Sequence, residues 1–246
     1  MPSASSPSNR RQGERRRSPR PPPPLTRSGD ASDPIAPAKP ALEPRSVQHA
    51  PRPRLVLATL NRAKARELAG LLGDPPYELH ALAELPGAAL PEETGDTYRA
   101  NALLKARAAA RLTGACALAD DSGIEVAALG GAPGVHSARF GGPGLDDAAR
   151  CALLLDALRG VPPEARAARF RCVVALVDPG GREHTAEGFV DGVITDAPRG
   201  TNGFGYDPLF LYPPLGRTFA ELSPEEKARV DHRGRAVRAA RHFLTG

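Results

Sequence analysis

The hydrophobic and polar positions change character near residue 54. Before it the apolar residues follow neither a period of two nor one of 3.6. From Arg54 onward, short apolar runs alternate with helical stripes. Residues 54–59, Arg-Leu-Val-Leu-Ala-Thr, read as a short buried strand. A helix is predicted over 62–72, with Leu68, Leu71 and Leu72 on one face, and a second strand over 78–82. A long helix is expected from about Asp96 to Thr113, with Ala100, Leu103, Leu104, Ala108 and Leu112 as its apolar stripe. The runs 115–119 and 124–129 are separated by Asp120-Asp121-Ser122-Gly123, which predicts two strands joined by a polar turn. A Gly-rich loop covers 130–144. A helix over 146–159 presents Leu153, Leu154, Leu155 and Leu158. Residues 168–178 and 184–195 predict a long hairpin turning at Asp178-Pro179-Gly180-Gly181. Ser223-Pro224-Glu225-Glu226 marks a helix start, with Ser as N-cap, Pro at the first position and a Glu to close a capping box. A final helix is expected from His232 to Leu244. Strands alternating with helices, plus one long hairpin, predict an α/β fold with a mixed sheet in one domain, residues 54–246.

Composition changes the picture mainly for residues 1–53. They hold 13 of the 27 prolines and many Ser and Arg. Little apolar area is present to offset the ordering entropy, so a disordered tail is expected. The tail carries ten Lys or Arg against four Asp or Glu; residues 54–246 carry the other 23 basic and 24 acidic side chains. The basic excess therefore sits in the tail, and the folded part offers no charge-based case for binding nucleic acid. Cys116, Cys151 and Cys172 form no CxxC pair and lie in apolar runs, as small buried hydrophobes of a reducing compartment would. No uncharged apolar run approaches the roughly 18–20 residues that span a membrane. The arginines at 15–17 are followed by Ser-Pro-Arg-Pro rather than an apolar segment, which argues against an export signal. A cytoplasmic location is expected.

Four polar clusters fall at predicted element ends. Thr59-Leu60-Asn61-Arg62-Ala63-Lys64 opens a helix, where free N–H groups favour a phosphate and also suit a plain Asn cap. Glu92-Glu93-Thr94-Gly95 precedes the long helix, which adds Asn101 and Lys105 four apart on one face. These carboxylates suit a helix dipole or a hard cation. Asp120-Asp121-Ser122-Gly123 suits a Mg²⁺ ion, which takes carboxylate and phosphate oxygens, and equally an acidic turn. Gly200-Thr201-Asn202-Gly203-Phe204-Gly205-Tyr206-Asp207 lets a ring and backbone approach a flat ligand, or buries Phe204 as an anchor. Downstream, Lys227, His232 and Arg233 lie at helix ends. No Gly-x-x-x-x-Gly-Lys-Ser/Thr and no Gly-x-Ser-x-Gly motif occurs. His136 and His184 lack partners at metal-ligand spacing.

In this order the clusters resemble the inosine/xanthosine triphosphate pyrophosphatase family of house-cleaning nucleotide hydrolases. The match runs through 58–64, 92–95, 100–106, Ala119-Asp120-Asp121-Ser122-Gly123 and 130–139. It continues through Gly203-Phe204-Gly205-Tyr206-Asp207-Pro208, Ser223-Pro224-Glu225-Glu226-Lys227 and His232-Arg233-Gly234, covering residues 54–246 and none of the tail. The resemblance implies an elongated mixed sheet flanked by helices, a central cleft between two lobes, and a homodimer. It implies Mg²⁺ held by Glu92 and Asp121, with Asp121 also the base that activates water and Glu93 and Asp120 in support. Thr59, Leu60, Asn61, Arg62, Ala63 and Lys64 would form the triphosphate loop, with Lys105 nearby and Ser122 on the substrate. Phe204, Gly205, Tyr206 and Asp207 would form the base loop, with Phe204 stacking. Lys227, His232 and Arg233 would contact phosphate or the 6-oxo edge of the purine. Leu60 and Asn202 stand where many members carry glycine.

The expected reaction is hydrolysis of ITP, dITP or XTP to the monophosphate and pyrophosphate, by attack of water at the α-phosphorus. Three other readings remain at this point: hydrolysis of modified pyrimidine or 7-methylguanosine triphosphates, nucleic-acid binding through the tail, and an inactive nucleotide sensor.

Overall fold

The computed structural model describes residues 20–22 and 52–245. Apart from 20–22 and 52–53, the expected tail lies outside the described residues. The first buried run is strand β1 (Arg54–Leu57), followed by helix α1 (Arg62–Leu72), whose N-cap Asn61 accepts hydrogen bonds from the amides of Ala63 and Lys64. Strand β2 (Glu78–Ala81) follows, then α2 (Tyr98–Thr113), capped by Thr97 and ended by Gly114 at φ 64°. Strand β3 (Cys116–Val126), α3 (Asp147–Ala157) and the long hairpin of β4 (Ala167–Val177) and β5 (Glu183–Ile194) come next. The chain closes with β6 (Phe210–Tyr212), β7 (Arg217–Thr218), α4 (Pro224–Val230) and α5 (His232–Thr245). Both elements of the Ser223 capping box are present.

One seven-stranded sheet has the order β2-β1-β3-β4-β5-β6-β7. Strands β2, β1 and β3 are parallel, and every later pairing is antiparallel. The expected mixed sheet flanked by helices is therefore present. Alternation along the strands divides the apolar side chains between the faces. Ala117, Ala119, Val173, Ala175 and Val177 pack with α2 residues such as Ala102 and Ala106. Leu118, Cys172, Val174 and Leu176 pack with Leu68 of α1 and Ala236, Val237 and Ala240 of α5. A third apolar cluster joins Leu154 and Leu158 of α3 to Phe170, Phe210 and Phe219.

Two expectations are corrected. Asp120-Asp121-Ser122-Gly123 is not a turn. It lies inside the continuous β3, in register with Val174, Val173, Cys172 and Arg171 of β4. The polar side chains sit in mid-strand because each carboxylate meets cations from the helices covering its face. Gly123 serves close packing instead of a turn: a Cβ there would come within 2.2 Å of the Gly134 carbonyl oxygen and 2.6 Å of Ser137 Oγ. The stripe of α2 is also rotated from expectation. Its buried face is Tyr98, Asn101, Ala102, Leu103, Lys105, Ala106, Ala109 and Ala110, so Leu103 points inward as expected whereas Ala100 and Leu112 are exposed. Leu153 of α3 is likewise exposed.

The α4–α5 junction gives a testable stability effect. Asp231 caps α5 through Oδ1, 2.7 Å from the Gly234 amide, while Oδ2 is buried without a partner. Burial and the neighbouring Glu67 raise the carboxyl to about 6, against the pull of Lys227 and Arg233. A raised folded-state value means that folding takes up a proton between roughly pH 4 and 6, so stability falls as pH rises through that window. Asp231→Ser keeps the capping oxygen and removes the orphan. It is expected to raise stability by about 1 kcal/mol at pH 8, a gain that shrinks toward pH 4. Urea denaturation at both pH values checks this, and an equal effect at both would refute it.

Candidate active site

The side chains of Asp120 and Asp121 leave β3 on opposite faces, because successive strand residues alternate. Asp120 points to the α1/α5 side. Its Oδ2 accepts from Arg233 Nε at 3.1 Å and lies 3.5 Å from Lys64 Nζ. Burial alone would push this carboxyl up, but Lys64, Arg233 and Lys105 together hold it well below the usual carboxylate range. Its second oxygen, Oδ1, is buried without a partner.

Asp121 points to the α2 side, where Lys105 Nζ lies 3.0 Å from Oδ1 and Asn101 Nδ2 lies 3.4 Å from Oδ2. The same ammonium donates to Glu93 Oε1 at 2.5 Å. One cation thus serves two carboxylates. Burial and the nearby Glu93 outweigh Lys105 at Asp121 and raise it to about 6. At Glu93 burial pushes up, yet Lys105 and Lys64 bring the carboxyl below its usual value. Lys105 itself stays protonated: burial opposes its charge, and Asp121, Asp120 and Glu93 restore it. Asn101, which sequence reasoning noted only as a helix neighbour of Lys105, also fastens the approach to α2. Its Oδ1 accepts from the Gly95 amide and its Nδ2 donates to the Gly95 carbonyl oxygen. Glu92 is exposed and makes no ion pair among the described residues; Glu93 is the inward-turned member of the pair.

On the Asp120 side lies a cleft of about 240 Å³, reached by Asn61, Lys64, Ser122, Phe204–Asp207, Lys227, His232 and Arg233. Most of the predicted binding residues therefore meet at one place. Thr59, Leu60, Arg62 and Ala63 do not line this cleft; Thr59 is buried and Leu60 is half exposed. The base loop is built by its own side chains. Asp207 folds back so that Oδ2 accepts from the Phe204 amide at 3.0 Å, and a Cβ at Gly203 (φ 76°) would strike that same oxygen at 2.1 Å. Tyr206 is buried and donates from its hydroxyl to the Ser137 carbonyl oxygen at 2.9 Å. It acts as the anchor of the loop, leaving Phe204 half-buried at the cleft. Asn202 donates to the Leu222 carbonyl oxygen at 2.9 Å, which holds the loop entrance where a glycine was expected from the resemblance.

Lys227 Nζ lies 2.6 Å from Asp207 Oδ2, 3.0 Å from Glu67 Oε1 and 5.1 Å from the Phe204 ring centroid. Arg233 is 1% exposed and donates to Asp120, to Ser122 Oγ at 2.9 Å and to Glu67. Glu67 escaped sequence reasoning. It lies three residues beyond Lys64, on the same face of α1, and that spacing was the available signal. His232 stacks on Phe170 with centroids 4.6 Å apart and planes 7° from parallel. Burial and the charges of Arg233 and Lys227 keep its imidazole neutral, and Nδ1 has no partner. His184 stacks on Phe243, and His136 accepts a hydrogen bond from Arg139; neither joins the cleft.

The site thus has two parts on the two sides of β3. One is a cleft with a ring and buried cations; the other is a carboxylate pair sharing one ammonium. Lys64 connects them electrically, since its charge acts on Asp120, Asp121 and Glu93. Among the described residues no group of three or more His, Cys, Asp or Glu side chains forms a ready metal cage. No described helix is long and apolar enough to cross a membrane.

Comparison with known proteins gives the class to which this cleft and carboxylate pair belong. Residues 55–243 match the Ham1 family. The dITP/XTP pyrophosphatase of Desulforamulus reducens is 53% identical over 191 residues, covering 78% of this chain and 95% of that protein. The protein of the same name from Geobacter sulfurreducens is 51% identical over 78% of this chain and 96% of its own length. The solved HAM1 protein from Coxiella burnetii superposes with a TM-score of 0.71 at 43% identity, covering 78% of this chain and 98% of that one. The chain belongs to the Ham1 family.

Proposed function

We propose that this chain hydrolyses deaminated purine nucleoside triphosphates (ITP, dITP and XTP) to the nucleoside monophosphate and pyrophosphate, and so clears them from the nucleotide pool. The observation that carries this reading is the joining, through Lys64, of the Phe204 cleft to the Glu93–Asp121 pair. The names of the relatives, dITP/XTP pyrophosphatase, support the substrate class.

The donor set fits Mg²⁺. Two carboxylates converge on one ammonium, and oxygen is what this ion prefers. Glu93 and Asp121 would hold it, Glu93 taking the place expected of the exposed Glu92. Bound there, it would neutralise charge on the phosphate oxygens. Asp121 is mainly a carboxylate above pH 6. It would take a proton from the water that attacks the α-phosphorus, while the bond to the α–β bridging oxygen breaks and pyrophosphate departs. Lys64 and the α1 N-terminus would face the phosphates. Asn61 already occupies the Ala63 and Lys64 amides, so the Lys64 ammonium carries much of that task. In the cleft Phe204 would stack on the base, and Lys227, His232 and Arg233 would face its 6-oxo edge. A site that donates to position 6 disfavours the 6-amino group of adenine by about 1–3 kcal/mol for the mismatch.

The test is pyrophosphate release by the full chain with Mg²⁺ on ITP, XTP, dITP, ATP, CTP and 7-methyl-GTP. Preference for the deaminated purines, abolished by EDTA and restored by Mg²⁺, is expected. Turnover of CTP or 7-methyl-GTP alone would refute the purine assignment. A cytoplasmic homodimer completes the proposal; light scattering on the purified chain should give twice the 25.8 kDa chain mass. No observation here favours the tail-based nucleic-acid reading or the inactive sensor.

A further inference from the structure

Four cationic side chains line the cleft: Lys64, Arg150, Lys227 and Arg233. Three of them are neutralised within the protein, by Asp120, Asp207 and Glu67. Among the described residues Arg150 is the cleft cation without a carboxylate ion pair. Its Nη1 donates to the Leu145 carbonyl oxygen, while its Nε is buried and unpartnered. The face of α3 that carries it is fixed to the base loop. Asp147, three residues earlier, accepts from the Gly205 amide at 2.7 Å, and Cys151, the next residue, places Sγ 3.3 Å from the Gly205 carbonyl oxygen. Positions 147, 150 and 151 share a helix face, so Arg150 stands beside the loop that carries Phe204.

The substituents at positions 2 and 6 of a purine diverge by about 120°, as ring geometry requires. With the 6-oxo group toward Lys227, His232 and Arg233, position 2 faces another wall. Ser137 Oγ is already used by the Ile124 amide and the Gly134 carbonyl oxygen, and Asp147 offers only acceptors. On the face of α3 fixed to Gly205, Arg150 is the cleft-lining side chain that brings donors.

We propose that Arg150 reads position 2 of the purine, an inference that rests on the nucleotide reading above. Its guanidinium donates to the 2-oxo group of xanthine, meets only C–H in hypoxanthine, and opposes the 2-amino group of guanine donor to donor. The site would therefore favour XTP over ITP and reject GTP through a residue on α3, an element apart from the motifs that mark the family.

The experiment compares wild type with Arg150→Met and Arg150→Lys. Steady-state kinetics with XTP, ITP and GTP are combined with calorimetric binding of XMP and IMP. Removing a charged donor to a substrate oxygen should lower the XTP-to-ITP ratio of kcat/KM at least about tenfold. The XMP-to-IMP affinity ratio should fall in parallel, the GTP-to-ITP ratio should rise, and Arg150→Lys should retain part of the XTP preference. Ratios that stay within twofold of wild type in both variants would overturn the proposal, including the case where all substrates weaken together through a phosphate contact. If Arg150→Met does not fold, Arg150→Lys and Arg150→Gln decide the same ratios. Failure of the wild type to hydrolyse any of these substrates would instead refute the nucleotide reading.

Discussion

Asp121→Asn is expected to lower kcat on ITP by at least about 10²–10⁴-fold while the protein remains folded. Asparagine keeps the shape of the side chain and an oxygen for Lys105, which lies 3.0 Å from Oδ1 in the native site. It loses the ability to accept a proton from water and one of the two carboxylate charges facing the shared ammonium. The cleft that would bind the base lies on the other side of β3 and keeps all its lining side chains. Binding of IMP should therefore hold within a few-fold, and the thermal midpoint should move little. Single-turnover kinetics beside product-binding calorimetry separates the two effects. A variant with near-native kcat would take Asp121 out of the chemistry.

Arg233→Met is expected to act on the whole fold, with a loss of about 3–5 kcal/mol. The guanidinium is fully enclosed and satisfies Asp120, Glu67 and Ser122 at once. Without it Asp120 keeps Lys64 at 3.5 Å, a hydrogen bond from Ser122 Oγ at 3.3 Å and the more distant charge of Lys105, and Glu67 keeps Lys227, at 3.0 Å. Buried Asp120 and half-buried Glu67 would then lose much of the charge that offsets their desolvation. The Asp120 carboxyl, held well below its usual range, normally contributes stability that is present above pH 4 and lost only in stronger acid. In the variant this acid resistance should shrink, and the urea midpoint at pH 7 should fall with the slope unchanged. An unfolding free energy within about 0.5 kcal/mol of wild type would show that the network is dispensable. Together the two variants distinguish adjacent residues: the Asp121 change costs rate, and loss of the Asp120 partner costs stability.

Much of the fold was legible because local chemistry and burial agreed. Asn61 and Ser223 cap helices that begin next to them, and the hairpin turns at Asp178–Gly181. The cleft side chains Lys64, Ser122, Phe204, Lys227, His232 and Arg233 stood out as polar or aromatic groups at element ends or beside glycines, and they do converge. The rest was hidden by partners distant in sequence. Asp120–Gly123 has the composition of a turn, and Arg233 and Lys105, 113 and 16 residues away from their respective aspartates, together with Lys64, offset its charges within a strand. Lys105 and Asn101 disguised the inner face of α2, since a lysine on a helix ordinarily marks solvent. Glu67 and Arg150, charged residues on helices, drew no notice for the same reason. Strands β6 and β7 span three and two residues, too short for any alternation to register.

The opposed aspartates also give β3 a reading frame. A sheet slipped by one residue usually exchanges apolar side chains for polar ones. Here it would exchange two carboxylates, sending the one held by Arg233 toward Lys105 and the one held by Lys105 toward Arg233. Charge count and composition would be unchanged, yet the proton acceptor would be locked in the structural network and the structural anchor would face the phosphates. A single-residue insertion between Cys116 and Ala119 is therefore a more severe lesion than most substitutions in the strand, because it changes which residue answers to which helix.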